Sequence, residues 1–161
     1  MLCMKNIDRR QLCAVLPALA AAALPSSAQE NSPKAAPVGT GTVGAARVIA
    51  PEQTQQRKTA TGESWSIAHG TLPTGETVNL HQSMQVAGAP PVQLHAIQHS
   101  EFILVREGDL EYQHEAEGKV ITERITAGGV LYIPFGTRHA VRNVGAGPAR
   151  YFVVGIGGDA K

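Results

Sequence analysis

Apolar and polar residues alternate with a period of two along most of the chain after residue 64. The clearest stretch is Thr77–Val86, where Val78, Leu80 and Met84 lie on one face and polar side chains on the other. Such alternation is typical of a strand with one buried face. Further short strands are predicted at 92–97, 102–106, 110–114, 119–125, 130–133, 139–144 and 150–156. Turns rich in Gly and Pro separate these segments, which predicts an all-β sandwich or jelly-roll barrel.

The N-terminal segment has the pattern of an export signal. Lys5, Arg9 and Arg10 precede the apolar run Leu12–Leu24, whose 13 residues are too few for a transmembrane helix. We predict that residues 1–28 form a signal peptide cleaved after Ala28, so that the protein is periplasmic or secreted and its mature chain has no membrane span. The Arg pair directly before the apolar run resembles a twin-arginine signal, and an ordinary secretory signal is the alternative.

The rest of the chain divides into an arm, one domain and a short tail. Residues 29–63 are predicted to be a linker or N-terminal arm, since residues 29–46 are rich in Ala, Pro, Gly, Ser and Thr without a period. Within this arm, residues 47–49 are predicted to be a short strand, and residues 51–63 a loop or one helical turn. The β domain spans residues 64–156, and residues 157–161 form a C-terminal tail.

Composition excludes several classes of function. Aromatic residues make up 4% of the chain and the net charge is +1. There is thus neither a stacking surface nor a basic face for nucleic acid, and no nucleic-acid partner is predicted. Both cysteines, Cys3 and Cys13, lie in the predicted signal peptide. A metal in the mature protein would therefore be bound by His and carboxylate side chains.

The most specific motif is a strand, turn and strand near the C-terminus. Within residues 128–143 the spacing is G-x5-P-x-G-x2-H-x3-N, in which Pro134 and Gly136 form the turn and His139 begins the next strand. Pro fixes φ and Gly permits φ > 0, so a turn of this kind holds its flanking side chains in fixed positions. The spacing resembles the second conserved motif of the cupin family at every fixed position.

A second segment resembles the first cupin motif, which commonly reads H-x-H-x3-4-E-x6-G. His95, Glu101 and Gly108 fit this pattern, but Ile97 stands where the second histidine belongs. His99 lies two residues before Glu101, so the two side chains project from the same face if both lie in one strand. The segment therefore reads H-x3-H-x-E, in which His99 is predicted to replace the missing ligand.

The resemblance implies a cupin jelly-roll β-barrel, or double-stranded β-helix, that holds one divalent metal ion. The implied ligands are His95, His99, Glu101 and His139, with Glu101 also a candidate catalytic proton acceptor. Without His99, the other three form a two-His, one-carboxylate set, as in non-haem Fe(II) oxygenases. The metal is one of Fe, Mn, Ni, Cu, Co or Zn. The resemblance also implies a homodimer formed through an N-terminal strand at residues 47–50.

Three functions follow from these residues. The first is an exported metal-dependent oxidoreductase, for example a dioxygenase, that acts on a small phenolic compound or organic acid. The second is a non-catalytic module that binds a small molecule or the metal itself, and the third is a degenerate cupin with a structural role. Arg138 is interpreted as a solvated loop residue, with binding of an anionic substrate as the alternative. His81 is interpreted as a surface histidine, with a place at the barrel mouth as the alternative.

Overall fold

The computed structural model describes residues 43–160, so the predicted signal peptide lies outside the described residues. The described part is built from strands, apart from a short 3-10 helix at Pro51–Gln53. The strands are β1 (Gln55–Thr59), β2 (Gly62–Thr71), β3 (Thr77–Gln85), β4 (His95–Ala96), β5 (Ser100–Glu107), β6 (Asp109–Ala116), β7 (Lys119–Thr126), β8 (Val130–Ile133), β9 (Arg138–Asn143) and β10 (Ala149–Ile156). No helix within residues 43–160 is long and apolar enough to cross a membrane.

The strands form two antiparallel sheets. The larger sheet has the order β1-β2-β3-β10-β5-β8, and the smaller has the order β4-β9-β6-β7. From β5 to β10 the chain passes between the two sheets, except that β6 and β7 pair as a hairpin within the smaller sheet. The last strand, β10, pairs with both β3 and β5. This arrangement confirms the predicted all-β jelly-roll fold.

An apolar core lies between the two sheets. On β5, Ile103 and Val105 are 3% exposed, whereas Phe102 and Leu104 are 39% exposed. The period of two seen in the sequence thus separates an inner face from an outer face. The core cluster consists of Ile97, Ile103, Val105, Leu110, Tyr112, Ile133, Val141, Ala149, Tyr151 and Val153.

A buried polar network closes one end of the core. The amide Nε2 of Gln85 donates to the Tyr151 hydroxyl at 2.9 Å and to the Val141 carbonyl at 3.1 Å. The backbone N–H of Asn143 donates to Oε1 of Gln85 at 2.7 Å. The Asn143 side chain also bonds Gly147 and Gly145. Asn143 therefore has a structural role and holds the turn that follows β9.

Three local expectations were wrong. Residues 47–49 are not a strand. The predicted strand at 92–97 shrinks to His95–Ala96, because Pro90 and Pro91 precede it and only these two residues pair with β9. A full strand instead lies at Gln55–Thr59, within the segment assigned to the arm. All five of its side chains are exposed, so no apolar alternation marks it in the sequence.

Candidate metal and ligand site

A cavity of about 410 Å³ opens between the two sheets. Its wall combines ionisable, hydroxyl and apolar side chains from both sheets. The lining residues are Arg57, Thr59, Thr61, His81, Ser83, Gln85, Val92, His95, Glu101, Ile103, His139, Val141, Tyr151 and Val153. Three of the four predicted ligands, His95, Glu101 and His139, therefore share one cavity. The mix of apolar walls and a few polar groups is typical of small-molecule sites.

His139 is held by the turn that carries the most specific motif. Gly136 has φ +76°, and its N–H donates to the Ile97 carbonyl at 2.9 Å, which ties the turn to the first motif directly after β4. Nδ1 of His139 lies 3.1 Å from the Thr137 carbonyl, an acceptor, so Nδ1 carries the proton. Nε2 then keeps its lone pair and is directed toward Glu101. Burial lowers the pKa of His139, which favours this neutral form.

His95 reaches the same point from the neighbouring strand. It pairs directly with His139 across β4 and β9, and the two ring centroids are 4.8 Å apart. Residues paired in this way project their side chains to the same side of a sheet. His95 is the more exposed of the two and stands at the open end of the cavity.

Glu101 faces the histidines from the opposite sheet. Its place near the start of β5, with the inward parity of Ile103, directs the carboxylate into the cavity. Oε2 of Glu101 lies 3.8 Å from Nε2 of His139. The carboxylate is 13% exposed, so its charge is partly shielded from water.

His99 has a different environment from the other three. Its Nε2 lies 3.0 Å from Oε1 of Glu101, and its Nδ1 lies 3.0 Å from Oδ1 of Asp159. Burial alone would lower the pKa of His99, but the hydrogen bonds to the two carboxylates outweigh it and raise the pKa above its ordinary value. Both ring nitrogens thus face carboxylate oxygens, and His99 is not among the residues that line the cavity.

The position where the resemblance places a second histidine belongs to the core. Ile97 is 9% exposed and packs with the apolar cluster between the sheets. Within residues 43–160, no three His, Cys, Asp or Glu side chains are already drawn together tightly enough to hold a metal ion. The donor atoms of His95, Glu101 and His139 nevertheless line one cavity, and imidazole and carboxylate suit first-row divalent metals.

Two further residues line the cavity although the sequence did not predict this position for them. His81 lines the cavity, and burial lowers its pKa, although the pattern alone favoured a surface position. Arg57 also lines the cavity, although its segment was predicted to be a loop or one helical turn. Arg138 begins β9, pairs with Glu115 at 3.2 Å and is 58% exposed, which agrees with its interpretation as a solvated residue.

Comparisons with known proteins agree with this architecture. The family model described as "Cupin domain" matches residues 80–155. A solved structure of oxalate decarboxylase, from a study of its substrate binding and a reaction specificity switch, is 20% identical with a TM-score of 0.57. A structure of the Bacillus subtilis oxalate decarboxylase, from a study of its Mn(II) centres, has the same identity and TM-score. Each match covers 68% of this chain but only 29% of the neighbour, so these likenesses concern the fold. No curated protein is significantly similar to the chain in sequence.

Proposed function

We propose, from the match of residues 80–155 to the cupin-domain model, that the barrel binds one divalent metal ion through His95, Glu101 and His139. The observation that carries the proposal is the hydrogen bond from Nδ1 of His139 to the Thr137 carbonyl. Metal-binding histidines almost always donate their second ring nitrogen in this way, which fixes the tautomer and orients the ring. The metal is one of Fe, Mn, Ni, Cu, Co or Zn. The neighbour's Mn(II) centres make Mn a reasonable first choice.

His99 is left out of the proposed ligand set because Glu101 and Asp159 occupy both of its ring nitrogens. Its role is to hold one oxygen of Glu101, so that Oε2 remains on the side of His139. Two histidines and one carboxylate leave coordination positions open for a substrate. Binding of the metal has to draw these three side chains closer together than they are without it.

We further propose that the site is catalytic and that the protein is a metal-dependent oxidoreductase, with dioxygenase-like chemistry on a small organic substrate. The bound metal would act as a Lewis acid toward a substrate oxygen. Glu101 would serve either as a ligand or as a proton acceptor inside the cavity, and His99 keeps its carboxylate oriented. The apolar walls supplied by Ile103, Val141 and Val153 limit access of water to this point.

Elemental analysis tests the metal proposal. The protein is purified without chelator, and its metal content is compared with that of His139→Ala and His95→Ala. We expect about one equivalent in the wild type, a value set by the single proposed ligand set, and a large loss in both variants. Equal metal content in all three proteins would contradict the assignment. Oxygen consumption with small phenolic compounds and organic acids then tests catalysis on the loaded protein.

A non-catalytic binding module is the second candidate. It is favoured by the ion pair between His99 and Glu101, which ties up one carboxylate oxygen, and by the lack of a tightly convergent donor set in residues 43–160. A small molecule that copurifies with the protein and binds equally well after metal removal would favour this alternative.

We also propose a homodimer that packs the outer faces of two larger sheets together. Phe102 lies between Tyr132 and Val154 in the sheet register, and Leu104 lies between Val130 and Phe152. These six side chains form a continuous apolar patch, in which Val130 is 60% and Tyr132 52% exposed. Monomeric proteins rarely expose such a patch. The six side chains carry no charge themselves, and Arg106 lies over the Phe152 ring at the edge of the patch, 5.6 Å from the ring centroid. A second copy of the same face therefore complements the patch by two-fold symmetry.

Light scattering during size exclusion tests this dimer. We expect a dimeric mass for the wild type and for Val120→Glu, a control on the smaller sheet where Val120 is 56% exposed. Leu104→Glu is expected to give monomers. A monomeric wild type would overturn the proposal.

Export of the protein, proposed from residues 1–28, is tested by cell fractionation. The wild type should accumulate outside the cytoplasm, and replacement of Arg9 and Arg10 by Lys should retain a precursor if the twin-arginine route is used. Export of this double variant at the wild-type rate would point to an ordinary secretory signal.

A further inference from the structure

Arg57 is the one side chain with a permanent positive charge among the described residues that line the cavity. It lies in the middle of β1, where its register partner on β2 is Ser64. Thr59, two residues further along, lines the cavity as well, whereas the intervening Lys58 does not. This alternation shows that one face of β1 is directed toward the cavity and the other away from it.

Arg57 has no carboxylate partner within 4.0 Å among residues 43–160, unlike three other arginines of the domain. Arg138 pairs with Glu115, Arg142 with Glu111 and Arg150 with Glu107. A guanidinium offers five N–H donors in a planar fork that fits a carboxylate with two parallel hydrogen bonds. Among the described residues this fork is not engaged by an ion pair.

The remaining polar groups of the cavity suit an anionic ligand. Thr59, Thr61 and Ser83 supply hydroxyl donors beside Arg57, and Glu101 is the only carboxylate among the lining residues described. Arg57 already balances the charge of Glu101, so a divalent metal bound beside Glu101 would leave the cavity with a net positive charge, which favours an anion over a neutral molecule.

We propose that Arg57 binds the carboxylate of a small organic acid, which makes organic acids, rather than neutral phenolic compounds, the substrate class of this cavity. The inference rests on the proposed function of the same site. A volume of about 410 Å³ admits a compact ligand of this kind. Arg57 thus acts as the specificity-determining residue, at a position that the sequence motifs do not contain.

The test is isothermal calorimetry on the purified, metal-loaded protein with two acids and their neutral isosteres. Acetate and benzoate are compared with acetamide and benzamide. We expect at least one acid to bind, and its amide to bind about 10- to 100-fold more weakly, as expected for loss of a charge-assisted hydrogen bond. Arg57→Gln should weaken binding of the acid by a similar factor, and Arg57→Lys should restore part of it.

Lys58→Gln is the matched control, because it removes one positive charge from the same strand on the face away from the cavity. It should bind the acid as the wild type does. The inference is overturned if neither acid binds, if acid and amide bind equally, or if Arg57→Gln and Lys58→Gln behave alike.

Metal content measured on the same samples separates this inference from the proposed function. Suppose that the wild type and Arg57→Gln both contain metal and bind the acid equally well. This result would overturn the organic-acid assignment and leave the proposed metal site intact. If the wild type contains no metal but its binding of the acid depends on Arg57, the proposed metal site is overturned. The protein would then be an organic-acid binding protein.

Discussion

Nε2 of His99 lies 3.0 Å from Oε1 of Glu101, and this contact gives the two residues different roles in the site. Glu101 turns its second oxygen toward His139, at 3.8 Å, while His99 faces Asp159 with its other nitrogen. A histidine held between two carboxylates is stabilised in its protonated form. His99 therefore supports a ligand, in our interpretation, rather than serving as one.

Removal of His99 should leave the metal in place. We expect His99→Ala to keep most of the metal found in the wild type, with an affinity reduced by about 10- to 100-fold because an outer-shell partner of Glu101 is lost. His139→Ala should lose the metal altogether. Elemental analysis after dialysis against a weak chelator compares the three proteins. Equal loss in His99→Ala and His139→Ala would instead identify His99 as a ligand.

The sequence predicted the fold well because strands and turns produce patterns among residues that are close together in the chain. Alternation located the strands of the core, and the Pro134–Gly136 turn located His139, since each feature depends on neighbouring residues. Arg57 escaped prediction, and His81 was assigned to the barrel mouth only as an alternative, because the place of each residue depends on which strands meet in space. The contact of His99 with both Glu101 and Asp159 was not predicted for the same reason, because Asp159 lies 60 residues away in the chain.

Replacement of Ile97 by the histidine that the first cupin motif usually has at this position should destabilise the fold. Ile97 is 9% exposed within the apolar cluster, so Ile97→His places a polar ring among apolar side chains. We expect the free energy of unfolding to fall by about 1–3 kcal/mol from this buried polar group. Ile97→Val, which keeps an apolar side chain, should cost about 0.5–1.5 kcal/mol. Urea denaturation measures both values, and a His variant as stable as the Val variant would contradict this view of the position.

Two glycines with similar backbone angles should respond differently to alanine. Gly136 has φ +76° with open space around it, whereas Gly108 has φ +81° and a Cβ there would lie 2.7 Å from the Pro148 carbonyl oxygen. Gly136→Ala should therefore cost about 1–2 kcal/mol, the penalty for a left-handed backbone alone. Gly108→Ala adds a clash with backbone atoms and should cost distinctly more. Thermal unfolding of the two variants tests the order, and equal costs would show that the backbone near Pro148 yields easily.

The Glu111–Arg142 pair should make stability depend on pH in the acid range. Its atoms are 2.7 Å apart across β6 and β9, and the hydrogen bond from Arg142 lowers the pKa of Glu111 below its ordinary value of 4.5. A lowered pKa in the folded state stabilises the protein above pH 4.5, and this contribution is lost as the pH falls through the folded value.

Glu111→Gln isolates this effect. The wild type should be more stable than the variant at pH 7, and the difference should shrink as the pH falls below 4.5. Glu117→Gln, at the exposed turn between β6 and β7, is the control and should show no such trend. Urea unfolding between pH 3 and pH 7 provides the comparison. A difference that stays constant over this range would mean that the ion pair contributes nothing beyond the packing of the two side chains.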